Sequence, residues 1–176
     1  MNNINGNEPE ITRYPAEVLQ EPARRIEEID EDIRRLAGRM IDIMLGNKGI
    51  GLAGPQISVN LRIFVISLDG SRDSARVYIN PIVKACGKLT GSEEGCLSVP
   101  GIYTKVRRYS GCTVTASDLE GEQFTEHAEG LYARCLQHEA DHLDGITIVN
   151  KMSQTAKITN RRQLKKLLEQ QQGKNL

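Results

Sequence analysis

Two of the chain's three histidines fall four residues apart, in His138-Glu139-Ala140-Asp141-His142. On a helix four residues advance about 400° and rise about 6 Å, so both imidazoles leave the same face one turn apart. That separation lets both rings reach a single small cation. Glu139 stands beside His138 and can reach a water on that cation. A metal lowers the pKa of such a water to roughly 7, and a carboxylate at that position can take its proton. The chemistry this predicts is metal-dependent hydrolysis. A surface helix with incidental charges is the plain alternative, and the convergence of so few histidines weighs against it.

Two imidazoles do not complete a catalytic site, which normally has three protein ligands and one open position. Of the four cysteines, Cys86, Cys96, Cys112 and Cys135, two are candidates for the third ligand. Cys135 lies three residues before His138 and faces nearly the same way, but there it would crowd the helix surface and distort the tetrahedron. Cys96, in Glu94-Gly95-Cys96-Leu97-Ser98, would meet the helix from across the site. Spacing alone leaves both open. The cysteines form no CxxC pair, so thiols are expected rather than a disulfide framework.

These residues need elements to hold them. Residues 1–28 read as an irregular leading segment with Pro9, Pro15 and Pro22. Asp30 is the predicted N-cap of an amphipathic helix over 31–45, with Ile33, Leu36, Met40, Ile43 and Met44 at helical spacing and Gly46 able to end it. Gly49 to Gln56 is too rich in Gly for a helix and reads as a structured loop. Strands follow: Arg62–Leu68; Val77–Val83, an edge or bent strand because of Pro81; and Cys112–Ser117, with alternating burial. Leu119–Glu122 predicts a hairpin turn into Gln123–His127. Gly130–Leu143 is helical and carries the histidines. Ile146–Val149 reads as a short strand. The tail over 155–172 reads as one surface helix docking through Ile158, Leu164, Leu167 and Leu168. The order predicts an α+β fold, and 176 residues predict a single domain.

Three segments together resemble the peptide deformylase family: Gly49-Ile50-Gly51-Leu52-Ala53-Gly54-Pro55-Gln56, Glu94-Gly95-Cys96-Leu97-Ser98, and Gln137-His138-Glu139-Ala140-Asp141-His142-Leu143-Asp144-Gly145. The similarity runs from about Ile11 to Val149. It implies antiparallel strands packed around a central helix that carries the histidine pair. It also implies Cys96, His138 and His142 as metal ligands and Glu139 as general acid and base. The Gln56 amide and the Leu97 backbone N–H become donors to the developing oxyanion, each worth about 3–4 kcal/mol. Ile50, Leu131 and Cys135 would line a methionine pocket, and Gly51 and Gly95 would let the peptide approach closely. Glu94 and Arg108 would pair across the site. The implied cofactor is one divalent ion, Fe²⁺ in the cell, with Zn²⁺ or another divalent metal able to bind. Two departures stand out. Gly54 replaces the usual Ala, which would loosen its loop, and Asn150-Lys151 replaces an Asp-Arg pair, which bears on packing of the C-terminal helix.

The resemblance implies a substrate too: nascent polypeptides beginning with formylmethionine, met at or near the ribosome. Composition excludes other classes. Basic and acidic residues balance at 23 each, so no global field favours nucleic acid or an anionic membrane. No direct nucleic-acid motif and no apolar run of membrane length occurs. The polar first residues lack a signal-peptide layout, so a cytoplasmic location is expected. Two rivals remain. One is a zinc peptidase of internal bonds, whose third ligand would usually be His or Glu. The other is a structural metal module closed by Cys135.

Overall fold

The computed structural model describes residues 11–172. Helix α1 (Glu31–Gly46) starts where Asp30 accepts the Ile33 N–H at 2.9 Å, satisfying one of the donors a helix start leaves unpaired. Gly46 is the last residue of the helix, not its cap; Asn47 takes that place. Ala37, Met40 and Met44 share the buried face and pack against β1 (Gly51–Ala53) and β2 (Ile63–Ile66).

Five strands form one antiparallel sheet in chain order, β1-β2-β3-β4-β5. Strand β3 spans Arg76–Gly95 and β4 spans Tyr103–Ser117, both longer than periodicity suggests. Pro81 does not make β3 an edge, since β3 pairs with β2 on one side and β4 on the other. The strand bends instead: the register shifts between Ile79 and Ile82, where Pro81 can supply no ladder N–H. Strand β5 (Gln123–Glu129) follows a tight turn in which the Asp118 carboxylate accepts the N–H groups of Glu120 and Glu122. It runs directly into α2 (Gly130–Leu143), which lies against the sheet and buries Ala133, Cys135, Leu136, Glu139, His142 and Leu143.

The Gly49–Gln56 segment is more regular than a loop. Residues 51–53 pair with β2, and Gly54–Ile57 form a 3-10 turn. Gly54 does not loosen it. A Cβ there would stand 2.8 Å from the carbonyl oxygens of both Val59 and Leu61, so glycine is what lets this turn press against the following backbone.

Beyond α2 two expectations fail. Ile148–Lys151 form a helical turn, α3, where a strand was expected. The Thr147 N–H donates to Asn150 Oδ1 at 2.8 Å, a local bond that closes a turn and competes with a ladder. Ile148 and Val149 are still buried, against Val99, Ile102 and Leu167. The tail is two helices, α4 (Gln154–Thr159) and α5 (Arg161–Gln172), broken at Asn160, whose amide donates to the Ala156 carbonyl oxygen. Leu167 docks, whereas Ile158 and Leu168 are exposed. No helix among the described residues is long and apolar enough to cross a membrane.

Candidate metal centre

Helix α2 supplies two donors, and Cys96, the residue just after β3, supplies the third. One ligand atom each of Cys96, His138 and His142 lies within 4.8 Å of the others, a group able to hold a metal ion. Cys96 Sγ and His142 Nε2 are 3.2 Å apart. His138 is turned by Glu94, whose Oε2 stands 3.1 Å from Nδ1, so that Nε2 is left as its donor. A carboxylate behind a ligating imidazole fixes ring and tautomer in this way in many metal sites. Burial raises the Cys96 thiol, but its charge interactions and hydrogen bonds with His142 and His138 outweigh that and hold it well below its ordinary value. The thiolate is the form that binds a cation. The donor set, soft sulfur with two imidazoles, fits a first-row divalent metal.

Cys135 is not part of this cluster. Its Sγ points at the Ile50 carbonyl oxygen, 3.7 Å away, and burial pushes its thiol well above the ordinary range. It stays protonated, and no fourth ligand closing the site is found among the described residues. His127 lies on β5, exposed, beside Glu129.

Glu139 is buried between the histidines. Burial raises its pKa, opposed by the charges of His138 and His142. Its Oε2 meets no donor among the described residues. Gly51 makes room for it: a Cβ at position 51 would lie 2.3 Å from Glu139 Oε1. Gln56 is also buried. The Ala53 N–H donates to its Oε1 at 2.8 Å, which fixes the amide's orientation and turns Nε2 towards Cys96 Sγ and Ser98 Oγ, at 3.5 and 3.4 Å.

A cavity of about 480 Å³ opens onto these groups. Ile50, Gly51, Gln56, Gly95, Cys96, Leu97, Leu131, Cys135, His138 and Glu139 all line it. His142 alone of the expected site residues stands behind the wall, 1% exposed.

Sequence reading missed part of the support. Arg108 makes the expected bidentate pair with Glu94, at 2.7 and 2.9 Å, and also reaches Asp141 Oδ2 at 2.8 Å. Lys151 lies 3.2 Å from the other Asp141 oxygen. Asp141, inside the histidine motif, has no role that spacing suggests, yet its carboxylate faces Arg108 on β4. Burial opposes ionisation of Glu94, but the His138 and Arg108 bonds prevail and hold it at about 2. Its negative charge is therefore permanent behind His138.

Residues 9–157 match the sequence profile of the polypeptide deformylase family. The peptide deformylase of Neisseria gonorrhoeae is 44% identical over 156 residues, covering 89% of this chain and 93% of that protein. That of Alkalilimnicola ehrlichii is 44% identical over 164 residues, covering 92% and 91%. Among solved structures, the Plasmodium falciparum peptide deformylase superposes with a TM-score of 0.90 at 32% identity, covering 93% of this chain and 98% of that one. The Legionella pneumophila enzyme gives 0.86 at 40% identity, covering 92% and 96%. With the profile spanning most of the chain and relatives this similar, the chain belongs to the polypeptide deformylase family.

Proposed function

We propose that this chain hydrolyses the formyl group from the N-terminal formylmethionine of new polypeptides, with Cys96, His138 and His142 holding one divalent metal ion. The observation that carries the reading is a three-donor Cys/His/His cluster beside a buried carboxylate whose Oε2 has no protein partner among the described residues. Three protein donors are the number expected of a catalytic rather than a closed structural site, which would keep one position for water or substrate. A bound cation there supplies Lewis acidity, polarising the formyl carbonyl and acidifying water.

The chain's own residues do the rest. Glu139 takes the proton of the attacking water and passes it to the departing methionine amine. Burial raises its pKa above the ordinary carboxylate value, which makes it a stronger base for that proton. The Gln56 amide, held by Ala53, and the Leu97 N–H donate to the oxygen on which charge develops. The methionine side chain enters the slot of Ile50, Leu131 and Cys135, where a neutral thiol suits a thioether. Gly51 and Gly95 admit the peptide backbone to the same cavity.

Fe²⁺ is the working metal in this reading. Zn²⁺ binds such a set more tightly by the usual affinity order, so iron would be retained by supply and reactivity. The whole chain acts as one catalytic domain in the cytoplasm, on polypeptides emerging at or near the ribosome. The test is a pair of substrates given to anaerobically prepared protein. A formyl-Met peptide should lose formate, and an N-blocked peptide of the same length should not be cut internally. Internal cleavage without formate release would contradict the proposal.

A further inference from the structure

The cavity wall carries more charge than the chemistry uses. Arg13 is accounted for by its bond to the Leu97 carbonyl oxygen, Glu94 by Arg108 and His138, and Glu139 by its place between the histidines. Lys48, Arg134 and Glu93 remain. Lys48 lies in the α1–β1 connection two residues before Ile50, and Arg134 lies on α2 between Leu131 and Cys135. A cation therefore flanks the apolar slot on each of its two walls. Lys48 is exposed and Arg134 half-buried. Neither forms an ion pair among the described residues. Glu93 is exposed too and stands in register with Lys105 on β4, but against the two cations it leaves the mouth with one net positive charge.

A peptide whose first side chain fills this slot must leave across the mouth. Extended chain advances about 3.3–3.6 Å per residue, so the next two residues stay within about 7 Å of the slot. We propose that Lys48 and Arg134 are specificity-determining residues that select substrates carrying an acidic side chain within the two residues after the methionine. The inference rests on the deformylase reading above. The attraction is the same in the bound ground state and the transition state, so it acts through KM and leaves kcat unchanged.

The test uses three C-terminally amidated peptides, formyl-Met-Glu-Ala, formyl-Met-Gln-Ala and formyl-Met-Lys-Ala, and the same set with the variable residue third. At low ionic strength kcat/KM should rank Glu, Gln, Lys, with about fivefold between Glu and Gln, in the range two exposed ion pairs supply. The ranking should lie in KM and collapse in about 1 M salt. In Lys48→Glu/Arg134→Glu protein the order should reverse, and exposed Lys48→Ala alone should halve the preference should the double variant fold poorly. Glu93→Gln should widen it. Equal kcat/KM for all three peptides in both sets, or a ranking unchanged by these substitutions, would mean that the two cations only wall the slot with their alkyl stems. Absence of formate release from every peptide would defeat the deformylase reading and this inference with it.

Discussion

Cys135 is buried on the histidine helix and Cys96 is half-buried beside it, and their surroundings drive their thiols in opposite directions. Cys96→Ala should lose most bound metal on purification, while Cys135→Ala should keep it; metal analysis of the two proteins decides, and the reverse pattern would overturn the ligand assignment. The pocket makes its own demand on the substrate. A formyl-Ala peptide forgoes three buried heavy atoms, and at about 0.8 kcal/mol per methylene kcat/KM should fall on the order of a hundredfold. Equal rates for formyl-Met and formyl-Ala would mean that Ile50, Leu131 and Cys135 do not hold the side chain. The histidine pair and Glu139 were legible from spacing because all three sit on one helix, whose geometry is local. The choice between the thiols was not, because the position of Cys96 depends on how β3 and β4 meet α2.

At the scale of elements, the Glu94–Arg108–Asp141 chain ties β3, β4 and α2 together directly behind His138. Arg108 has only 3% of its side chain exposed, so its removal leaves Glu94 with only His138 and Asp141 with only Lys151 as partners among the described residues. Arg108→Ala should cost about 3 kcal/mol, or roughly 6–12 °C in Tm for a chain of this size. An unchanged melting curve would show the chain to be ornamental. Gly54→Ala tests a different junction: with carbonyl oxygens 2.8 Å from the added carbon, urea unfolding should show a loss of about 1–3 kcal/mol. A neutral result would show that the 59–61 backbone can step aside. Helices α1 and α2 and the Leu119–Glu122 turn could be read because caps and periodicity are written locally. The α3 turn and the break at Asn160 could not. Both are set by side-chain bonds to nearby backbone, Asn150 to Thr147 and Asn160 to Ala156, within sequences whose apolar pattern suits other structures equally well.

Across the whole molecule the site sits where three apolar clusters meet. Cys135 and Ala53 belong to the cluster under α2, Leu52 and Leu97 to the one under α1, and Cys96 packs on the one that includes α3 and α5. The candidate site thus borders all three apolar clusters. Long-range convergence of this kind is invisible to spacing, and here it became legible only because three separated motifs occur together in one order. It also means that Glu139 can be changed without unloading the cluster, since Cys96, His138 and His142 remain. Gln at that position keeps size and helix propensity but cannot accept a proton. The decisive measurement is therefore the formate-release rate of Glu139→Gln protein on a formyl-Met peptide, taken together with its metal content. The mechanism predicts near-native metal and a rate lower by about 10²–10⁴; native metal with an undiminished rate would contradict it.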